Sequence, residues 1–571
     1  MLDLLKILIL LQIFFNIKAF NAQNIILSYA DDSSLVFIYK PDLTFKKNVI
    51  GNSVYYYFEN VPLTKQKGLP ELAFHSTAII GENSSIEILS CSYNDYNNSI
   101  VKISEGMKKI SDSIGEIVNL CPDGFYPQNI IEPGNKLNFK NYKGYSLKLF
   151  PVQYDFQNKT IRIYNEIVFC VKTSLIFTDN ENYETSEILK SNFINIATSR
   201  KKSLLSVQEE KNMLIFCPEK YSDSMLEFAK WKNQRGISSR IIITPEEAVS
   251  DFIKNTIKEQ YISDGLDFVL LVGNADDIPP LDVQGGYSDN AYGYLTGDDH
   301  YPEISIGRFS GISVEEIATQ ALRSINYEKN PSLNNDAFQN YILIASNEDN
   351  SGDNGERDFE HLRNIGTRLN ASSYKSGIEL FDGSNGGLDK DGNPDKNDFS
   401  QALNKGAGIV LYTGHGTASS IMTTAFTNND INLIENDSVL PFGLFAGCSI
   451  GDYKSQKCLA EYFVQHKTDT FNSGFQTVIA STNEQWWDQP MLGKDVFVES
   501  LTNSVQNSSS FSIGGMLINS MIAMNNAYDD YGFETSDTWT IFGDPSLLLI
   551  SDSLTEIIFA CPDIITTGSQ E

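Results

Sequence analysis

Two short apolar runs, each closing on a reactive side chain among small residues, limit what this chain can fold into. The first reads Gly408-Ile-Val-Leu-Tyr-Thr-Gly-His-Gly416 and the second Leu440-Pro-Phe-Gly-Leu-Phe-Ala-Gly-Cys-Ser-Ile-Gly-Asp-Tyr453. Both are too brief for helices and rich in β-branched and aromatic residues, the pattern of strands buried on both faces of a parallel sheet. Such sheets gather their chemistry at the carboxyl ends of the strands. His415 at one strand end and Cys448 at the next would share a rim, where the imidazole can take the thiol proton and the thiolate can attack a carbonyl. Gly414 and Gly416 keep the His loop free of side-chain bulk, so the N–H groups of Gly416 and Cys448 are candidates to hold an oxyanion. A cysteine in an apolar run is otherwise an ordinary buried hydrophobe; its pairing with a histidine at a successive strand end is what favours chemistry.

Strands alternate with helices around these runs. Positions 213–217, 239–244 and 268–273 read as strands, and 221–233 and 248–261 have helical spacing. A second series puts strands at 341–346, 408–413, 442–446 and 477–481. Repeated βαβ units imply a parallel sheet with right-handed crossovers, here in two consecutive α/β subdomains with the His/Cys pair in the second. From 24 to 198 the texture is different. Alternating runs such as Ser53-Val-Tyr-Tyr-Tyr-Phe58 and Thr160-Ile-Arg-Ile-Tyr164, broken by Asn, Asp, Gly and Pro, predict an antiparallel β-sandwich. Between the two parts, 196–212 is polar and without period, a linker of the kind proteases cut, with Arg200 beside Lys201 and Lys202.

The chain carries 43 Lys and Arg against 73 Asp and Glu, a formal net charge of −30, so nucleic acid and anionic membrane surfaces would repel it. Positions 1–22, with Lys6, an apolar block at 7–17 and small Ala19 and Ala22, have the shape of a secretory signal peptide. An uncleaved anchor or a buried strand is the alternative there. No later segment approaches the length of a membrane helix, so a secreted protein with no membrane span is expected. The seven cysteines lack the paired spacing of a zinc site, and their odd count leaves at least one thiol unpaired, with Cys448 the natural candidate. Cys91, Cys121 and Cys170 could supply one disulfide in the N-terminal region, with the pairing open.

An apolar block ending in His-Gly, then one ending in a small residue and Cys, resembles the caspase-like cysteine peptidases, and the detail resembles the gingipain family. The likeness runs from 213 to 550, through Trp231-Lys-Asn-Gln-Arg-Gly236, Leu271-Val-Gly273 with Asp277-Ile-Pro-Pro280, Ile306-Gly-Arg-Phe309 and Asp537-Thr-Trp-Thr-Ile-Phe-Gly-Asp-Pro-Ser-Leu547. Gly447 departs from it, standing where the family has Ala. The resemblance implies a caspase-like α/β/α sandwich in two subdomains, preceded by an all-β sandwich prodomain, because Leu149-Phe-Pro-Val-Gln-Tyr-Asp155 is similar to gingipain prodomains. The chain would divide into a signal peptide at 1–22, prodomain and linker at 23–205, α/β subdomains at 206–335 and 336–551, and a tail at 552–571. The implied activity is that of a secreted cysteine endopeptidase made as a zymogen, held inactive by its own prodomain, cutting proteins or peptides after arginine and needing no organic cofactor. Specificity for lysine or another residue before the cut bond, or a non-catalytic secreted binding protein on the same fold, are the alternatives.

His415 needs orienting, and a carboxylate on its rim would do so. Glu348, just past the 341–346 strand, matches a gingipain glutamate that approaches the histidine, on a loop one residue shorter here. Asp358, closing Asp353-Asn-Gly-Glu-Arg-Asp358, resembles the specificity aspartate of the arginine-specific members; a buried carboxylate there would pair bidentately with a guanidinium. Trp487 resembles the tryptophan that covers that pocket, with Trp486 as the alternative. The run Thr296-Gly-Asp-Asp-His-Tyr-Pro-Glu303 resembles a gingipain calcium site. By that match Asp299, Glu303 and Glu356 would be side-chain ligands, Thr296 and Tyr301 would give carbonyls, and His361 would lie nearby, a hard-oxygen set suited to calcium. The stretch Asp389-Lys-Asp-Gly-Asn-Pro-Asp395 alternates oxygen donors but has Ser400 at the twelfth position where an EF-hand needs glutamate, and reads as a turn.

Overall fold

The computed structural model describes residues 25–31, 33–59, 61–107, 120–140, 142–174, 183–195, 211–329, 336–348, 355–437, 439–469, 472–507 and 511–550. The signal-peptide reading at 1–22, the core of the linker at 196–210 and the tail at 552–571 lie outside the described residues.

Ten strands form one sheet, in the order Ile237–Ile243, Lys211–Cys217, Phe268–Val272, Ser305–Phe309, Trp539–Phe542, Thr477–Ser481, Phe442–Ala446, Ile409–Thr413, Asn340–Ala345 and Ser376–Phe381. All neighbours are parallel except Trp539–Phe542, which runs antiparallel to Thr477–Ser481. It meets Ser305–Phe309 through a single pair, Arg308 with Phe542. This strand is the seam that joins the two expected halves into one sheet. The central strands are buried along their whole length, which is why they read as continuous apolar runs with no alternation.

Helices cover both faces. On one, Ser222–Gln234 and Val314–Lys329 pack Met225, Phe228, Ile317 and Ala321 on the first half of the sheet, and Leu459–Gln465 packs Leu459 and Phe463 on the second. On the other, Asp358–Asn370, Asp488–Asn507 and Ile513–Tyr528 share a core with Leu343, Leu411 and Leu444. Two quoted motifs prove to be anchors for this arrangement. The buried Arg308 guanidinium is bidentate on Asp289, at 2.7 Å to each oxygen, and Asp289 accepts the Tyr453 hydroxyl at 2.8 Å, tying the first half to the segment after Cys448. Lys232, also buried, donates to Glu328 at 2.8 Å and lies 2.6 Å from Asp544.

Among the described residues the N-terminal part holds a six-stranded sheet and two three-stranded sheets. Its long strands Glu82–Tyr96 and Thr160–Ser174 pair antiparallel, as the alternation predicts, while Ser53–Glu59 pairs parallel with Ser99–Val101. A helix at Tyr183–Asn192, absent from the sequence reading, docks on Ile513–Tyr528 through Asn192 Nδ2 and Asn519 Oδ1 at 2.6 Å. The expected disulfide is not formed: Cys91, Cys121 and Cys170 are free thiols. Cys91 stands opposite Ile167, and Cys170 opposite Glu87, so these two are out of register across the ladder. Among the described residues no helix is long and apolar enough to cross a membrane.

Candidate active site

Parallel pairing brings the two reactive residues together. Ile409–Thr413 lies beside Phe442–Ala446 with Thr413 opposite Ala446, so His415 and Cys448 follow the ends of adjacent strands. Gly414 donates to Ala446 O at 3.1 Å and turns the chain at φ +155°, where a Cβ would come 2.8 Å from the Tyr412 hydroxyl. That hydroxyl is occupied, donating to the His415 carbonyl, and the Met422 N–H donates to the same oxygen at 3.1 Å. With its backbone pinned, the His415 imidazole places Nε2 at 3.1 Å from Glu348 Oε1.

Cys448 is buried, and its Sγ accepts the Gln485 backbone N–H at 3.2 Å. The next residue, Ser449, has a left-handed φ of 57°, uncommon for a residue with a side chain, and its N–H donates to Asn483 O at 2.9 Å. The turn around the thiol is therefore held by the 481–487 loop. Gly447 has a steric reason. A Cβ there would sit 2.8 Å from Ile450 Cδ1 and 3.0 Å from Gly414 O, so the missing methyl leaves room for Ile450. Gly416 comes equally close, since its Cβ position is 3.0 Å from Cys448 O, and the backbones carrying the two candidate oxyanion amides are in contact.

Asp358 opens the helix Asp358–Asn370 with no exposed surface. One carboxylate oxygen accepts the Trp487 Nε1–H at 2.8 Å and the other the Ser346 hydroxyl. Burial pushes this carboxyl up to about 8, while the two hydrogen bonds and the Lys494 charge pull the other way. The Trp487 ring meets the His415 ring at 5.4 Å between centroids, so it stands between the dyad and the buried carboxylate. Trp486, the alternative, turns away to Glu534 at 2.8 Å and to the Tyr531 ring.

The implied calcium ligands are not gathered as one set. Asp299 accepts from Asn138 of the N-terminal part, at 2.7 Å from its backbone N–H and 2.9 Å from its side chain, and from the Tyr301 N–H at 3.1 Å. Glu303 takes the Leu295 N–H at 2.7 Å and the Thr296 hydroxyl. Glu356 accepts from Asn364 at 2.6 Å, and His361 is paired with Asp495 at 3.2 Å. Among the described residues no group of three or more His, Cys, Asp or Glu side chains is placed to hold a metal ion, while burial and the neighbouring Asp299 push the Glu303 carboxyl up to about 7.

Three contributors escaped the sequence reading. Gln485 reaches the thiol through its backbone, while its side chain is fixed by Ser481 Oγ, Thr538 Oγ1 and the Trp539 Nε1–H; no side-chain pattern signals a backbone contact. Ser346, just past the strand Asn340–Ala345, gives its hydroxyl to Asp358. Lys494, fully buried, donates to Tyr412 O and Thr413 Oγ1 directly ahead of the His loop. A thiol and an imidazole at adjacent strand ends, with a carboxylate behind the imidazole, can carry out acyl transfer through a thioester.

Comparison with known proteins agrees with this chemistry. Residues 206–550 match the family model described as peptidase family C25, and 64–204 match the model of the C25 propeptide. Gingipain R2 of Porphyromonas gingivalis is 32% identical over 530 residues, spanning 88% of this chain and 70% of the relative. The crystal structure of the Arg-specific cysteine proteinase gingipain R (RGPB) superposes with a TM-score of 0.57 at 34% identity, covering 61% of this chain and 80% of that one. The complex of the pro- and mature domains of RgpB from Porphyromonas gingivalis gives 0.56 at 34% identity, over 60% and 81%. A caspase-like sheet, a family match across more than half its length and a relative aligned along most of both sequences make this chain a cysteine endopeptidase of peptidase family C25, the gingipain family.

Proposed function

We propose that this endopeptidase cuts after arginine, with Cys448 as nucleophile, His415 as general acid and base, and Glu348 orienting the imidazole. His415 takes the Cys448 proton as the thiolate attacks the scissile carbonyl, and the Gly416 and Cys448 amides hold the oxygen as it becomes anionic. Collapse passes the proton from His415 to the leaving amine and leaves a thioester on Cys448. Water, deprotonated by His415, then attacks the thioester, and the thiol is released with the acid product.

The observation that carries the specificity is Asp358, a fully buried carboxylate joined through Trp487 to the ring of His415. A substrate guanidinium can replace the Trp487 and Ser346 donors with a bidentate, charge-assisted pair, whereas a lysine ammonium offers only a point contact. The arginine specificity printed for gingipain R points the same way. We read residues 64–204 as the propeptide that keeps the enzyme inactive, supported by the RgpB pro- and mature-domain complex, and 1–22 as the signal for secretion. The test is a covalent one: an arginyl chloromethyl ketone should label Cys448 in the processed enzyme much faster than its lysyl counterpart, and equal rates would refute arginine specificity.

A further inference from the structure

Asp488 follows Trp487 directly and opens the helix Asp488–Asn507. Its side chain is 5% exposed, and the ammonium of Lys65, itself 6% exposed, lies 3.8 Å away. Among the described residues the charges that act most strongly on Asp488 are those of Lys65, Glu71 and Lys102, and all three lie within residues 64–204, the part matched to the propeptide. Glu71 is 3.9 Å from Lys65 and 3.2 Å from Lys102, so the propeptide brings a small charge network of its own to meet one carboxylate. The loop that presents Lys65 is tied down: the Thr64 N–H donates to Leu72 O at 2.9 Å and the Thr64 hydroxyl to Pro70 O at 2.8 Å. Beside it, Gln489 Nε2 contacts Met107 Sδ of the propeptide at 3.6 Å.

A buried carboxylate is costly without a counter-charge, and here the two cations that act on it, Lys65 and Lys102, depart when the propeptide does. We propose that Asp488 is a second cation subsite next to the Asp358 pocket, filled in the full chain by Lys65 and open in the processed enzyme to a basic side chain of the substrate. Its ligand is an ammonium or guanidinium on a residue near the scissile arginine, which places a basic pair among the favoured substrates. The subsite rests on the arginine reading above, because it is defined by its neighbour Trp487.

Two measurements test it. In peptides with one fixed arginine at the cleaved bond, lysine and norleucine are exchanged at each of the three positions before it and the two after it. At one position at least, lysine should raise kcat/KM about fivefold or more over norleucine, and Asp488→Asn should bring that ratio close to one. A ratio near one at every position in wild type removes the subsite while leaving arginine cleavage standing; loss of arginine cleavage itself would instead overturn the specificity reading. On the full chain, Lys65→Asp and Asp488→Lys should each speed release of the propeptide, and the charge-swapped double variant should return it to within about threefold of wild type. Additive single effects without rescue would show that Lys65 does not occupy Asp488.

Discussion

The Trp487 indole donates to Asp358 at 2.8 Å, so in the full chain the buried carboxylate is already satisfied from within the protein. An arginine entering the pocket has to take the place of that donor. Asp358→Asn keeps the volume and the acceptor oxygen but removes the charge. We expect it to lower kcat/KM for an arginyl peptide by about 100-fold, roughly 2.7 kcal/mol of transition-state stabilisation, and to change cleavage of a peptide with an uncharged residue there by less than threefold. Equal losses on both peptides would mean that Asp358 only supports the fold.

The thiol has its own fixed donor in the Gln485 N–H, which holds the sulfur in place. Cys448→Ala should be fully inactive with an unchanged far-ultraviolet spectrum, since it removes one sulfur from a strand end. Gln485→Ala leaves the N–H but cuts its side chain from Ser481, Thr538 and Trp539. The expected result is a kcat lower by about tenfold with KM nearly unchanged, as for a group that acts through positioning. A change confined to KM would show that this loop serves substrate binding alone.

The reactive rim was legible because parallel strands buried on both faces have to be apolar throughout, so Ile409–Thr413 and Phe442–Ala446 announced themselves along with the residues that follow them. The helix Ile513–Tyr528 was not legible for the converse reason: it is buried along its whole length, and an element with no polar face has no amphipathic period to detect. Trp539–Phe542 is a short strand that joins the sheet far from its sequence neighbours, so only the finished fold shows that it is the seam. Around the site, Asp358 is pointed to by the family likeness, and His415 and Cys448 by residue type. Residue type could not disclose Gln485, whose contribution is a backbone N–H, nor that Asn138 already occupies Asp299 across the interface with the propeptide.

Glu348 reaches His415 Nε2 at 3.1 Å, but its side chain is 52% exposed. Solvent therefore screens the pair, and such contacts contribute modestly. Glu348→Gln should lower kcat by about tenfold or less, against a loss of about a thousandfold for His415→Ala. A Glu348→Gln enzyme as impaired as His415→Ala would make the carboxylate a direct participant in proton transfer.

The propeptide carries an acid-sensitive contact. Burial pushes the His75 imidazole down to about 4, with Asp42 acting the other way, and the ring is hydrogen-bonded to the Tyr39 hydroxyl. The unfolded value is about 6.5, so the folded chain resists a proton that the unfolded chain accepts. This contribution is intact above pH 6.5 and is lost as the pH falls from about 6.5 towards 4, a difference of at most about 3 kcal/mol. His75 begins the strand His75–Ile80, which pairs with Tyr142–Leu149, and Lys148 of that strand holds Asp529 of the peptidase domain at 2.5 Å. Melting curves of full-length Cys448→Ala at pH 7 and pH 4.5 should differ by several degrees more than those of the same protein with His75→Gln. Identical acid shifts in the two proteins would exclude His75 as their source.

Release of the propeptide sets the last expectation. Described residues end at Asn195 on the propeptide side and resume at Lys211, the first residue of the strand Lys211–Cys217; the connection holds Arg200-Lys-Lys-Ser203. On the arginine reading, a pocket closed by Asp358 would accept Arg200, and Lys201 and Lys202 beside it would supply the basic neighbours that a subsite at Asp488 favours. Incubated wild type should lose about the first two hundred residues and give a mature chain beginning close to Lys201, while Cys448→Ala stays full length, both read by intact mass. Cleavage of Cys448→Ala at the same rate in a protease-free preparation would refute self-processing. A wild-type cut only after Lys201 or Lys202 would reassign the pocket to lysine, and Arg200→Gln should delay processing in wild type by about tenfold or more if the arginine is the residue the pocket selects.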